Sequence, residues 1–442
     1  MSASIIKFLK GLNPDFVKLL TGSGLVFAVR VLGALAGYVL AYVITTNYGA
    51  QTFGVFELCL TILTILSVLG RLGLDGALVR FIPEYVEKRQ FNHLRSVYKI
   101  ALSVAMPISL VFATGLFFGA EYLAKFFKSE ALVDGFQITA LIVPFSTWMG
   151  LNTEAFRGMK KMVSYSFYQR GTVVFIATIA ILILAFNLPY SNQVPLMGFG
   201  IGVVGLSIAA GVYAPRQILD LGEAQTTTNT FLPQTLLTVA FPMLLSTSMF
   251  MVMNWTDTLM IGYYLEESEV GIYRLAFKIA ALTTFAQFAI NSIAAPMFSS
   301  FNANGDMKGL RKIVRNIGYL NVLISVPIFI IIILFPKFLL NFFGDEFTTG
   351  VAPLIILAIG SVINAICGPV MYLLNMTGKE KIARNIIIIA SILNIILNLT
   401  LIPIFGLLGA AYATSISTVV WNALGVAQIK KEYGFISIPH PF

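Results

Sequence analysis

Long apolar runs separated by short polar or turn-rich breaks divide this chain into twelve segments: residues 19–46, 53–74, 97–120, 136–156, 165–186, 196–214, 235–262, 272–296, 315–341, 350–374, 383–402 and 407–427. About 20 apolar residues suffice for a helix to cross the hydrocarbon core of a bilayer, so each run predicts a transmembrane helix. The tightest division falls at Pro403 to Gly406, between spans 11 and 12. The first run is long and is followed by further spans, which is unlike a cleavable signal peptide. Composition agrees with this pattern. Of 442 residues 57% are hydrophobic and 11% charged, against roughly 25% charged in a soluble globular protein. The fold class expected is an all-α polytopic membrane protein.

Lys and Arg set the expected orientation. Twenty-one of the 29 lie on the side that holds the N-terminus, the even-numbered connections and the tail. The opposite side holds Lys125, Lys128 and Lys337, and there Glu266, Glu267 and Glu269 gather. Both termini are therefore expected in the cytoplasm, in a multi-pass protein of the cell membrane. The net charge of +9 follows from this topology, and no nucleic-acid partner is needed to account for it. Ile5, Ile6, Phe8, Leu9 and Leu12, with Lys7 and Lys10, form either a short amphipathic helix on the membrane surface or an ordinary basic flank.

An internal repeat organises the spans. Span 2 opens with Gly54-Val55-Phe56-Glu57-Leu58 and span 8 with Gly271-Ile272-Tyr273-Arg274-Leu275, 217 residues later. Pro83 and a basic loop ending Leu94-Arg95 follow the first, Pro296 and a loop ending Leu310-Arg311 the second. Arg157-Gly158-Met159-Lys160-Lys161 after span 4 has its counterpart in Thr377-Gly378-Lys379-Glu380-Lys381 after span 10. These ordered matches predict two six-helix lobes, and an even number of spans per lobe makes the repeats parallel, related by an axis along the membrane normal. The organisation expected is a cytoplasmic segment 1–18, a first lobe 19–214, a linker 215–234, a second lobe 235–427 and a tail 428–442, with a central cavity between the lobes. The longest connections, 215–234 and 297–314, are too short to fold as domains.

Several chemistries are missing. No Gly-x4-Gly-Lys-Ser/Thr phosphate loop occurs. Gly200-x-Gly202-x-x-Gly205 has dinucleotide spacing, but it lies within an apolar span and reads as helix packing. Cys59 and Cys367 sit in apolar runs and offer neither a disulfide framework nor a Cys-ligated metal site. His93 and His440 lie in polar segments, outside any buried catalytic centre. An enzyme, a metal centre and an organic cofactor are therefore not expected.

Ionisable residues inside the spans are costly and mark cavities or partners. They are Arg30, Glu57, Arg71, Asp75, Glu154, Arg170, Asp257, Arg274 and Lys278. Arg71 with Asp75, and Glu154 with Arg157, have the spacing of helix-end ion pairs. Arg30 lies twelve residues beyond Lys18, about 18 Å along a helix, and is followed by Gly33 and Gly37 on nearly the same face, so it is expected to line the cavity. Arg274 and Lys278 share one face of span 8 and call for acids or an anion opposite them. Glu57 is the repeat equivalent of Arg274, and Asp257 lies at similar depth. Gln287, Asn291, Asn394 and Asn398 either line the same space or bond between helices.

Four patterns together resemble the polysaccharide transporter, or oligosaccharide flippase, family of the multidrug/oligosaccharidyl-lipid/polysaccharide exporter superfamily. They are Tyr48-Gly49-Ala50-Gln51-Thr52-Phe53-Gly54-Val55-Phe56, Leu72-Gly73-Leu74-Asp75-Gly76-Ala77, Asp257-x4-Gly262 leading to Val270-Gly271-Ile272-Tyr273, and Asn398-x3-Ile402-Pro403-x2-Gly406-x2-Gly409-Ala410-Ala411. The similarity runs from about residue 20 to 428. Lipid II flippases of the superfamily carry two helices more than the twelve read here. The major facilitator family also has two six-helix lobes, but it expects a basic turn where this chain has Asp75-Gly76.

The resemblance implies alternating access and a polyprenyl- or dolichyl-diphosphate-linked oligosaccharide as cargo, moved from the cytoplasmic to the outer leaflet. On that footing Arg30, Lys278, Arg274 and Arg170 are the expected diphosphate ligands, since a diphosphate needs cations. Glu57, Asp257 and Arg274 are the expected outer gate, a set of partly exposed pairs worth about 0 to 1 kcal/mol each. The coupling ion would be Na+ or H+, and the partners membrane lipids and the enzymes of polysaccharide or glycoprotein assembly. Two other functions compete: a cation-coupled multidrug extruder of the same superfamily, and a membrane-bound glycan-polymerising enzyme.

Overall fold

A computed structural model describes residues 14–187, 191–222 and 233–439, and among them the secondary structure is entirely helical. Eight of these helices are long and apolar enough to cross a membrane. One of them, Val31–Arg71, holds both span 1 and span 2. With the apolar helices Arg170–Asn187, Pro233–Tyr264 and Glu267–Ala303 the expected twelve spans are complete. The amphipathic stretch 5–12 and His440 lie outside the described residues.

Each helix begins and stops for a local reason. Spans 1 and 2 form one helical stretch, Pro14–Arg71, bent at Gly49, where φ is +80°. Glycine enters that region without the steric cost a side chain would carry, so the chain turns back without a loop. Span 2 ends where Leu72 and Gly73 both take positive φ, and a second helix, Leu74–Glu87, leads away from it. Span 10 is broken at Gly368, with Val351–Cys367 before it and Val370–Met376 after. Spans 6 and 12 run further than their apolar runs suggest, to Leu219 and Tyr433. The chain then folds back: Phe435 and Ser437 are buried, and Ser437 Oγ donates to the Cys367 carbonyl at 2.7 Å, closing the break in span 10. The helix of span 12 thus continues through residues 428–433 of the expected tail.

The core is not evenly shared between the two ends of the bundle. At the end away from the Lys- and Arg-rich connections, a single apolar cluster takes in both halves of the chain, from Leu40, Phe53 and Phe136 to Tyr273, Phe347 and Ala411. At the basic end the described core divides. Leu74, Ile82, Leu94 and Leu151 pack in the first half, Phe298, Leu310, Leu373 and Ile429 in the second. Leu236 and Ala240 of span 7 cross over to join the first group. The halves thus share one core at one end and have separate cores, bridged by span 7, at the other.

Two glycine contacts make the crossings close. Gly54 and Gly271, the repeat-equivalent pair, face each other where spans 2 and 8 cross, each with its missing Cβ over the other helix's backbone. Gly33 of span 1 meets Gly171 of span 5 in the same way, the Cβ positions falling 2.8 Å and 2.6 Å from the opposing Cα atoms. Without a water-driven hydrophobic effect between helices in lipid, such close backbone packing supplies the association. Gly200 and Gly202 are part of the same economy, packed on Ile142 and on Val173.

A Cβ at residue 54 would overlap the Glu267 carbonyl oxygen, whereas Gly37 has open space around it. Gly54→Val is expected to destabilise the protein by about 1–3 kcal/mol through overpacking, and Gly37→Ala to be neutral. Thermal unfolding of the two variants in detergent checks this, and equal melting temperatures would contradict the crossing.

Candidate functional site

Glu57 lies one helical turn beyond Gly54, and Arg274 one turn beyond Gly271. The glycine crossing therefore brings the two side chains together: Arg274 Nε donates to Glu57 at 3.0 Å, and the Lys278 ammonium, one turn further along span 8, donates to the other carboxylate oxygen. Glu57 is 2% exposed and Arg274 7%. Aromatic rings complete the enclosure. Trp255 and Phe277 lie 4.8 Å and 5.4 Å from the Arg274 guanidinium, and Phe53 4.9 Å from the Lys278 ammonium. Tyr38 of span 1 donates to the Lys278 carbonyl at 2.7 Å, tying in a third helix.

The sequence suggested a partly exposed cluster, and the structure corrects this. Both sides of the Glu57–Arg274 pair are buried, because spans 2 and 8 approach closely enough to exclude solvent. Coulomb attraction is stronger there, but so is the penalty for leaving one partner alone.

Asp257, expected beside these cations, is used elsewhere. Its carboxylate accepts from the Tyr273 hydroxyl at 2.8 Å, from Thr414 at 2.5 Å and from Asn398 Nδ2 at 2.9 Å. Asn398 also donates to Asn394 at 3.1 Å. Spans 7, 8, 11 and 12 thus meet at a carboxylate that is 3% exposed, and no described Lys or Arg pairs with it. The reason is helical phase: Tyr273, next to Arg274, turns toward the second lobe while Arg274 turns toward the first. Gln287 likewise bonds between helices, to the Gly368 carbonyl at 3.1 Å, and Asn291 is buried.

A cavity of about 630 Å³ extends from this cluster toward the basic end. Glu57, Arg274 and Lys278 border it at one end, Arg71, Glu154 and Gln169 at the other. Val29, Gly33 and Gly37 of span 1 line it, so the stretch of helix that carries Arg30 borders the cavity. The side chains of Arg30 and Arg170 lie outside the described residues. The two helix-end pairs form as the spacing suggested, Arg71–Asp75 at 3.5 Å and Arg157–Glu154 at 3.3 Å.

One closing contact has no counterpart in the sequence reading. Glu346, in the short turn Asp345–Gly350 between spans 9 and 10, accepts from the Ala50 amide at 2.5 Å. It caps the first turn of span 2, where the bend at Gly49 leaves backbone N–H groups unused, and a carboxylate there also suits the helix dipole. Phe347 beside it meets Phe53 edge-on at 6.3 Å. Nothing local marks Glu346, since its partner lies 296 residues away. The acid in a Gly344-Asp345-Glu346 turn is the faint signal that was present.

The family model described as polysaccharide biosynthesis protein matches residues 19–302, and the one described as MatE matches 242–400. "Probable low-salt glycan biosynthesis flippase Agl15" of Haloferax volcanii is 32% identical over 189 residues, covering 42% of this chain and 39% of that protein. The chain thus spans about two fifths of that relative's length. The fold is shared with the lipid II flippase MurJ in an inward closed conformation, at TM-score 0.71 and 17% identity, over 93% of this chain and 87% of that one. It is also shared with an inward-facing multidrug resistance MATE family transporter of the MOP superfamily, at TM-score 0.72 and 11% identity, over 91% and 94%.

Removing Glu57 should leave two cations without their counter-charge. Glu57→Ala is expected to cost about 3–5 kcal/mol, the range for breaking a buried pair. Glu57→Arg should be worse, and Glu57→Arg with Arg274→Glu should recover part of the loss. A double-mutant cycle on thermal stability checks this, and full additivity would show that the two side chains do not interact.

Proposed function

The chain belongs to the polysaccharide biosynthesis protein family of the multidrug/oligosaccharidyl-lipid/polysaccharide exporter superfamily, and we propose that it is a flippase for a polyprenyl- or dolichyl-diphosphate-linked oligosaccharide. The observation that carries this reading is the placing of Arg274 and Lys278 on the cavity wall, held there by one carboxylate, Glu57. Two cations on one acid leave a positive surplus that a diphosphate can take over. The names of the relatives support the same cargo class.

The basic end faces the cytoplasm in this reading, by the distribution of Lys and Arg. The described conformation then has its outer end sealed by the shared core and its cavity directed inward. The headgroup enters among spans 1, 2, 4 and 5, where Arg30 and Arg170 are proposed to bind it with Arg274 and Lys278. As the diphosphate takes the two cations, Glu57 loses its partners and the closure of spans 2 and 8 weakens. A ligand shifts such an equilibrium only by its difference in affinity between the two states, and this exchange of carboxylate for phosphate supplies the difference. The enzymes that build and use the lipid-linked oligosaccharide are the partners this cycle requires.

A multidrug extruder would want an unpaired acid on the cavity wall. Here the wall acids Glu57 and Glu154 both sit beside cations, which favours the anionic cargo. The coupling ion, Na+ or H+, is proposed to act at Asp257. That carboxylate is buried with oxygen and amide partners, and the neighbouring Asn398 Oδ1 is buried with no hydrogen-bond donor, an acceptor left over for a cation.

Reconstitution with fluorescent lipid-linked oligosaccharide, read as protected against exposed headgroup, tests the function. Arg30→Ala is expected to abolish transport with expression intact, and Arg30→Lys to be partly active because the two-pronged guanidinium contact is lost. Normal transport by Arg30→Ala would remove Arg30 from the mechanism. Asp257→Asn is expected to abolish the response of transport to an imposed Na+ or pH gradient. An unchanged response would place the coupling ion elsewhere.

A further inference from the structure

We infer that Arg71 forms a second anion site, at the basic end of the cavity, which takes a phosphate group of the headgroup while Arg274 and Lys278 are still held by Glu57. This rests on the flippase reading and adds a residue and a step to it.

Span 2 presents Glu57, Leu60, Thr64, Ser67 and Arg71 to the cavity, at intervals of three or four residues. They form one helical face. From Glu57 to Arg71 that face is about 21 Å long at 1.5 Å per residue. At the Glu57 end the cations are engaged, since Arg274 and Lys278 both hydrogen-bond the carboxylate. An anion arriving there must displace an acid from a buried, two-donor contact.

Arg71 is held quite differently. Its contact with Asp75 runs from Nε at 3.5 Å, long for a charge-assisted hydrogen bond. Nε itself is buried and has no hydrogen-bond partner. A guanidinium carries five N–H donors, and among the described residues none of Arg71's donates a hydrogen bond. Span 4 makes room for it at Gly150, where a Cβ would overlap Nη1 and lie 3.1 Å from Cζ and Cδ. The side chain is therefore seated between spans 2 and 4 on the cavity wall, 17% exposed, with its donors unused.

The acids facing this position are Asp75 on the helix that follows span 2 and Glu154 on span 4. Glu154 is paired with Arg157 at 3.3 Å, leaving Asp75 as the competitor for Arg71. A phosphate can accept two parallel N–H bonds from a guanidinium, which Asp75 does not do here. Ser146 and Gln169, on the same stretch of wall, offer polar groups to the rest of the headgroup. The headgroup would thus be received at Arg71 and passed along the face of span 2 to the cations beyond.

The opposing roles of Arg71 and Asp75 give the test. Binding of farnesyl diphosphate to the purified full chain in detergent is measured by calorimetry. Arg71→Gln is expected to weaken it at least tenfold, with Arg71→Lys between, while Asp75→Asn, which removes the competitor, is expected to tighten it. Gly150→Ala, which unseats the guanidinium without changing any charge, should weaken binding as well and keeps the test open if Arg71→Gln does not fold. In the transport assay Arg71→Lys should raise KM for the lipid-linked substrate more than it lowers the maximal rate. A merely structural ion pair predicts that Arg71→Gln and Asp75→Asn shift affinity in the same direction, and that result, or no shift in either, would overturn the proposal while leaving the flippase reading intact. Failure of the unaltered protein to bind farnesyl diphosphate would likewise overturn the proposal, and the flippase reading then stands or falls by the transport assay alone.

Discussion

One carboxylate between two cations, set where two helices cross at glycines, is the contact on which the arrangement of this molecule turns. Glu57 belongs to the first half of the chain, Arg274 and Lys278 to the second. The crossing at Gly54 and Gly271 brings the backbones close enough for those side chains to meet away from solvent. A buried ion pair adds little net stability over a well-packed apolar contact, but it is severely weakened when one partner is lost. Such a contact responds sharply to any anion that competes for the two cations, because Glu57, left behind without them, would be a buried and uncompensated charge.

Apolar packing is distributed unevenly around that contact. One core joins both halves at the end where Glu346 caps span 2 and Phe53 meets Phe347. At the basic end the described core is divided in two, with span 7 reaching across through Leu236 and Ala240. Bodies packed as densely as protein interiors do not deform continuously. The charged and capped contacts described above sit within the end where that core is continuous.

Asp257 illustrates how much depends on helical phase. It lies close along the chain to Trp255, which borders the cavity, and its partner Tyr273 is adjacent to Arg274. A rotation of about 100° per residue in a helix sends neighbours to different faces. Trp255 and Arg274 therefore serve the interface between lobes, while Asp257 and Tyr273 serve the inside of the second lobe. The same chain segments thus build two polar centres with separate partners.

The sequence by itself determined the class of the fold, because twelve apolar runs and a lopsided distribution of Lys and Arg are properties of composition and spacing that a bilayer reads directly. It also marked spans 2 and 8 as equivalent helices, through a repeat offset of 217 residues that aligns Glu57 with Arg274, so that these residues could be singled out before their contact was seen. What the tertiary structure decided was how dry each contact is and which way each side chain faces. The burial of the Glu57–Arg274 pair, the removal of Asp257 into its own network, the Glu346 cap from 296 residues away and the loosely held Arg71 against Gly150 all depend on where non-adjacent helices touch. Those distances are set by interhelical packing of small residues, and no local pattern along the chain encodes which helix a given face will meet.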